Sequence, residues 1–412
     1  MNVQNFLFIT KSKLLIIGPR IFYLLALIYS IIHIFLWSLI YTPHEIKIKV
    51  IGFSSIFVWH AHEMLYGYTM AVIAGFLMVI PKGENYFTKS ANTFFLLHCV
   101  SWLLARIAPF AEPSIFEALF LFNLIFCFFL FNSIRKKVLA NKKNYGPYFL
   151  VAFIFLLFFV EILFYVSEFY FYMNSIFLIK ISIYIVGLLI SIISGRVLSN
   201  IIVKDDLPSS QQIHMYKSNS LLNIQKNLFK FYIAGLILFF IIISIFSNQF
   251  LILIASIAVL IIGAARLIIL YKKTIFENML VAGLYMTNIF ILIAVLIKGV
   301  EGYFQLIPTL YLHALTFGGI GIATATMMSR IIIGFSGGDS SRKPEKLVSI
   351  GIMILILGSI VRAILPIFIK EHYLILVLIS EFLWVAGFGM LSVKLIPKLF
   401  QAKSLEKKTK KI

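Results

Sequence analysis

Long apolar runs, each closed by a short polar or basic segment, dominate the sequence from position 20 to position 396. A helix needs about 20 apolar residues to cross the hydrocarbon core of a bilayer. That length divides the chain into twelve runs at residues 20–41, 61–80, 91–110, 114–133, 147–167, 174–194, 229–247, 249–270, 278–298, 305–328, 346–368 and 372–396. Pro113 and the Ser247–Asn248 pair mark the tightest boundaries between consecutive runs. The longest polar stretch, residues 197–227, carries Asp205, Asp206 and Pro208 and is too short for a domain of its own. A backbone in hydrocarbon must satisfy its own hydrogen bonds, and the runs lack the polar alternation of a barrel strand. The pattern therefore predicts an all-α polytopic membrane protein with about twelve transmembrane helices, folded as a single integral-membrane domain over residues 1–412.

Placement of Lys and Arg gives the orientation. Lys11, Lys13 and Arg20 precede the first run. Loops after even-numbered runs carry Lys82 and Lys89, the Arg135–Lys143 cluster, Lys204 to Lys230, Lys272 with Lys273, and Arg342 to Lys346, and the tail adds Lys403 to Lys411. The other loops hold only Lys47, Lys49, Arg106, Lys298 and Lys370. By the positive-inside rule both termini are expected in the cytoplasm.

Composition agrees. The chain is 61% hydrophobic and 13% charged, against about 45–50% and about 25% in soluble domains, and its mean hydropathy is +1.01. The net charge of +20 lies in clusters between apolar runs, so nucleic acid is not an expected partner and the lipid bilayer is. Cys99 and Cys127 sit inside apolar runs and form no CxxC. The opening stretch shows no A-x-A-like cleavage site, and no Walker, GxGxxG, GxSxG or EF-hand pattern is present.

Ionisable residues inside lipid are costly and mark functional candidates. The densest group opens the second run, Trp59-His60-Ala61-His62-Glu63-Met64-Leu65-Tyr66-Gly67-Tyr68. Neutral imidazole binds iron and copper, and a nearby carboxylate fixes its tautomer. Each residue of an α-helix turns about 100°, so a regular helix sends His60 and His62 in different directions. The expectation is that His62 and His313 lie closer to a shared cofactor pocket, while Glu63 orients His60 or His60 serves a second centre. His313 opens the tenth run, followed by Gly318, Gly319 and Gly321, at a depth matching His60 and His62. His33 could be a ligand of a third centre, but His33 and His98 read first as single histidines bonded to neighbouring carbonyls, so that replacing His33 is expected to leave cofactor content near normal. Met64, Met70 and Met78 offer thioethers suited to Cu(I), although methionine more often fills a core. Two structural ion pairs are expected from matched depth, Glu161 with Lys180 and Arg362 with Glu381. Arg196, Arg266 and Arg330 lie near helix ends, where snorkelling accounts for them.

The stretch WHAHEMLYGYTMAVIAGFL (Trp59 to Leu77), with HALTFGGIGIATATMMSRIIIGFSGG (His313 to Gly338), resembles the two most characteristic motifs of the NnrS family. Shorter echoes are Trp102 with Arg106, Gly195-Arg196, Ala264-Ala265-Arg266, Arg362 and Leu383-Trp384. The resemblance implies a bacterial inner-membrane protein that binds haem and copper and serves nitric oxide metabolism or resistance to nitrosative stress, in the setting of denitrification. It makes His60, His62, His313 and Glu63 the candidate cofactor residues, the three histidines being the metal ligands, and nitric oxide the implied small-molecule partner. A proline expected after the Gly-Arg pair is replaced by Val197 and Leu198. Haem–copper oxidases are a more distant comparison, but the sixth and seventh runs here hold no His. Two other classes stay open: a secondary transporter of a small anion or metal, and a non-catalytic membrane scaffold or sensor. Catalytic residues, enzyme status and oligomeric state are not assigned by the sequence.

Overall fold

The structure is a computed structural model that describes residues 19–41, 50–77, 89–140, 148–171, 175–204, 220–339 and 343–400. Among them no strand occurs, and ten helices are long and apolar enough to cross a membrane. Each of the twelve apolar runs corresponds to a helical stretch. These are α1 (Pro19–Leu39), α2 (Ile56–His62, Glu63–Thr69 and Met70–Leu77 without interruption), α3 (Lys89–Ile107), α4 (Pro113–Ala140), α5 (Tyr148–Val166, continued by Ser167–Phe171) and α6 (Ser175–Lys204). They continue with α7 (Ser220–Ile245), α8 (Gln249–Leu270), α9 (Met279–Val300), α10 (Leu310–Phe335), α11 (Lys346–Ala363, continued by Leu365–Phe368) and α12 (Tyr373–Phe400). The two outside the ten long apolar helices are α2 and α3.

Local chemistry sets several ends. Pro113 stands at the first position of α4, where its missing N–H costs nothing. Asn248 caps α8 by accepting from the Leu251 N–H at 3.1 Å, and Asn278 caps α9 by accepting from Leu280 at 3.0 Å. Several helices outlast their apolar runs: α4 continues to Ala140 and α6 to Lys204, while α7 begins at Ser220. Good helix formers such as Lys and Arg carry the backbone past the hydrocarbon. Outward faces are apolar, with Ile268 73%, Phe382 70% and Phe231 63% exposed, a surface suited to lipid rather than water.

The chain forms two compact units. The first comprises Met1–Ile185, Met328–Ser341 and Phe388–Ile412; the second comprises Val186–Met327 and Arg342–Gly387. In the first unit α1 packs on α2, α3 on α4 and α4 on α5. The buried Arg20 closes it by donating from Nη1 to the Leu399 carbonyl at 2.9 Å, with its guanidinium 5.6 Å from the centre of the Phe335 ring. In the second unit α9 is the central helix, packed against α8, α10 and α11, and α7 packs on α8.

Candidate functional site

Both long motifs contain a stretch of π-helix. In α2 it runs from Glu63 to Thr69 and in α10 from Ala314 to Gly321. The residue before each is a motif histidine, His62 or His313. A π turn is rare and widens the helix, which releases carbonyls from their usual partners and re-aims side chains. In α2 the Gly67 carbonyl accepts from the Trp102 indole N–H at 3.0 Å, and the Met64 carbonyl accepts from the Thr69 hydroxyl at 2.8 Å. Gly67 permits a close approach at this turn: a Cβ there would come within 2.6 Å of Arg106 Nη1 and 2.7 Å of the Tyr29 ring. In α10 Gly318 lies against Phe290 and Gly321 against Trp384.

The first unit holds a closed ring of buried polar side chains. Glu63 Oε2 accepts from Arg106 Nη1 at 2.5 Å, and Arg106 Nη2 donates to Asn123 Oδ1 at 2.5 Å. The Asn123 amide donates to Glu161 Oε1. Glu161 Oε1 in turn faces His62 Nε2 at 3.0 Å, and His62 Nδ1 faces Glu63 Oε1 at 3.1 Å, which closes the ring. The Tyr29 hydroxyl donates to Glu63, and the Tyr165 hydroxyl lies 3.3 Å from His62 Nε2. Tyr66 adds a hydroxyl that contacts Ser182 at 2.8 Å and the Leu157 carbonyl at 3.1 Å. Glu161 and Asn123 are fully buried, and Arg106 is 7% exposed. The His62 ring stacks at 5.1 Å on Phe164 and at 5.2 Å on Tyr66. Apolar and aromatic walls strengthen each of these charged hydrogen bonds.

His60 lies elsewhere. Its Nδ1 is 3.2 Å from His33 Nε2, and its ring stacks on Trp37 at 4.0 Å. The regular helical turn through His60 and His62 does separate them. Glu63, however, bonds His62 and not His60. His33 is not a histidine bonded to a carbonyl but half of an imidazole pair, with a buried Nδ1 that has no hydrogen-bond partner. His98 does bond a carbonyl, that of Phe126 at 3.1 Å.

In the second unit His313 Nδ1 lies 2.8 Å from the Thr309 carbonyl. A carbonyl can only accept, so Nδ1 carries a proton, and in its neutral form the ring presents its lone pair at Nε2. The Thr309 hydroxyl lies 3.3 Å from the Tyr373 hydroxyl, which accepts from Arg362 Nη1 at 3.1 Å.

Both ion-pair expectations need correction. Glu161 is occupied by His62 and Asn123, not Lys180. Arg362 reaches Tyr373, not Glu381. Shared depth fixes the height of two side chains in adjacent helices but not the direction each faces. Arg266 also departs from expectation, being 1% exposed and therefore not snorkelling. Asn123 had no sequence signal beyond one amide in an apolar run, and Arg106, which the charge pattern assigned to a loop, is instead 7% exposed within the ring.

Among the described residues no three His, Cys, Asp or Glu side chains converge as a metal site. A family model described as NnrS protein matches residues 13–403, nearly the whole chain. Neither a curated protein nor a solved structure matches.

Proposed function

The chain belongs to the NnrS family, and on that premise we propose that it is a haem- and copper-binding protein of the bacterial inner membrane, acting in nitric oxide metabolism or resistance to nitrosative stress. One observation supports the assignment of the haem: the Thr309 carbonyl, 2.8 Å from His313 Nδ1, keeps the proton of a neutral His313 ring on Nδ1 and leaves Nε2 as its base. That is the form in which His313 would hold haem iron, and the hydrogen bond on the other nitrogen is the partner that metal-binding histidines ordinarily keep.

The donor sets sort the remaining histidines. His62 is a poor ligand as it stands, because both its nitrogens face carboxylates. His33 and His60 suit a small soft or borderline ion better: their facing nitrogens are 3.2 Å apart, a separation two ligands at about 2.0–2.1 Å from one metal can span. His33 and His60 would hold copper and His313 haem. When bound, these groups would supply the metal centres at which nitric oxide coordinates and changes redox state.

The ring around His62 has a different task in this reading. Two carboxylates face one guanidinium, so an electrically neutral cluster carries one further proton. Held between His62 Nε2 and Glu161 Oε1, that proton lets the imidazole donate to both acids. Glu161 Oε2 is buried without a hydrogen-bond partner and gives the proton an alternative seat. The ring thus holds a proton in a dry interior, where nitrogen oxide chemistry consumes protons along with electrons.

The test is a nitric oxide challenge of bacteria lacking the gene and carrying the wild type, His313→Ala or Arg106→Met. Wild type restores growth and both variants fall short at equal membrane abundance. Full protection by His313→Ala would remove the haem assignment.

A further inference from the structure

Arg266 has no part in that chemistry. The buried side of α8 runs through Ile252, Ser256, Val259, Gly263, Arg266, Leu267 and Leu270 at helical spacing, which places Arg266 within the apolar stripe rather than on the lipid face. Its Nη1 donates to Asn288 Oδ1 at 3.1 Å. Asn288 spends its own donors on the Leu284 carbonyl at 2.8 Å and the Ser194 hydroxyl at 3.3 Å. The Phe229 ring centre lies 4.7 Å and the Tyr232 ring centre 5.5 Å from the guanidinium carbon.

No carboxylate among the described residues pairs with this charge. Arg266 Nε and Nη2 are buried without a hydrogen-bond partner, and so is the Tyr232 hydroxyl. Ser191, the hydroxyl neighbour of Tyr232, gives its own proton to the Gly187 carbonyl at 2.8 Å. Nε and Nη2 form one edge of the guanidinium, whose parallel N–H groups match the two oxygens of a planar anion. Gly195 packs close to Nη2: a Cβ there would stand 2.6 Å from it. Nε and Nη2 of this buried cation are donors left without an acceptor, Asn288 Oδ1 being taken by Nη1, while Ser191 Oγ lies beside the Tyr232 hydroxyl.

We propose that the Arg266 edge, with the Tyr232 hydroxyl, is a binding site for a small monovalent planar oxyanion of the carboxylate type, lodged among α6, α7, α8 and α9. Its charge neutralises the guanidinium, and its oxygens accept from Nε, Nη2 and Tyr232. The site lies wholly within the second unit and does not depend on haem or copper. The chemistry fits a free anion and the carboxylate of a fatty acid from the bilayer equally.

The experiment follows carbon-13 formate by NMR line broadening with the full chain in phosphatidylcholine nanodiscs, with and without oleate. One saturable formate site is expected in the wild type. Arg266→Gln weakens it at least tenfold, Gly195→Ala does the same by crowding Nη2, and Tyr232→Phe weakens it several-fold. Displacement by oleate identifies the bilayer as the source, whereas saturable formate binding that oleate leaves unchanged identifies a free ion. Should Arg266→Gln fail to fold, Tyr232→Phe and Gly195→Ala decide alone. Absence of saturable formate binding in the wild type overturns the proposal, as does binding that none of the folded variants changes.

Discussion

Replacing Arg106 by Met tests the buried ring most sharply, because it removes the one fixed positive charge and keeps much of the side-chain volume. Arg106 is 7% and Glu63 1% exposed, so solvent screens their interaction little. Nη1 stands 2.5 Å from Glu63 Oε2, which puts the charge centres about 4 Å apart; at an effective dielectric of about 20 that attraction is about 4 kcal/mol. The substitution also leaves Asn123 Oδ1 without the donor it holds at 2.5 Å. Breaking one side of a buried pair costs about 3–5 kcal/mol, because the abandoned charge remains in the interior, and the same range is expected here. The companion change Glu63→Gln is destabilising alone. In the double variant neither charge is stranded, so the two costs should fall short of additivity by about 2 kcal/mol. Reversible unfolding of the four proteins in mixed detergent micelles measures each term. A cost below about 1 kcal/mol for Arg106→Met, or strict additivity, would refute the ring as a charge-coupled unit.

Further outcomes follow from the same contacts. Lys180→Ala should change stability by less than about 0.5 kcal/mol, while Glu161→Ala, which strands His62 and Asn123, should cost about 3 kcal/mol in the same unfolding assay; equal effects would restore the Glu161–Lys180 pair. Gly67→Ala pushes a Cβ to within 2.6 Å of Arg106 Nη1 and should cost about 1–3 kcal/mol, whereas an unchanged unfolding midpoint would contradict the close approach. His33→Ala and His60→Ala should lower copper content in parallel by elemental analysis. A loss confined to His60→Ala would dissolve the pair.

The helices were legible because the bilayer imposes a length that the apolar runs must meet, and each run became a helix. Their ends were less so, since α7 starts at Ser220 with polar turns ahead of its apolar run that hydropathy does not register. The divergence of His60 and His62 followed from the angle per residue alone. Which neighbours each would meet did not, because His33, Arg106, Asn123 and Glu161 come from α1, α3, α4 and α5, and their facing depends on helix rotation. The π turns were hidden for a related reason. No residue pattern separates a widened turn from an α turn, and the glycines at Gly67, Gly318 and Gly321 were the only trace of it. Arg266 was misplaced because distance from a helix end was used where the buried stripe of α8 decides.

The most direct test of the central claim is an absorption spectrum, with iron and copper analysis, on the full chain purified from haem-replete cells as the wild type, His313→Ala and His62→Ala. The proposal predicts a Soret band with matching iron in the wild type. It predicts loss of most of that band in His313→Ala, which removes the imidazole that would hold haem iron. His62→Ala should keep the greater part of it, since both of that histidine's nitrogens face carboxylates. A wild type without a Soret band, or equal haem content in wild type and His313→Ala, would contradict it.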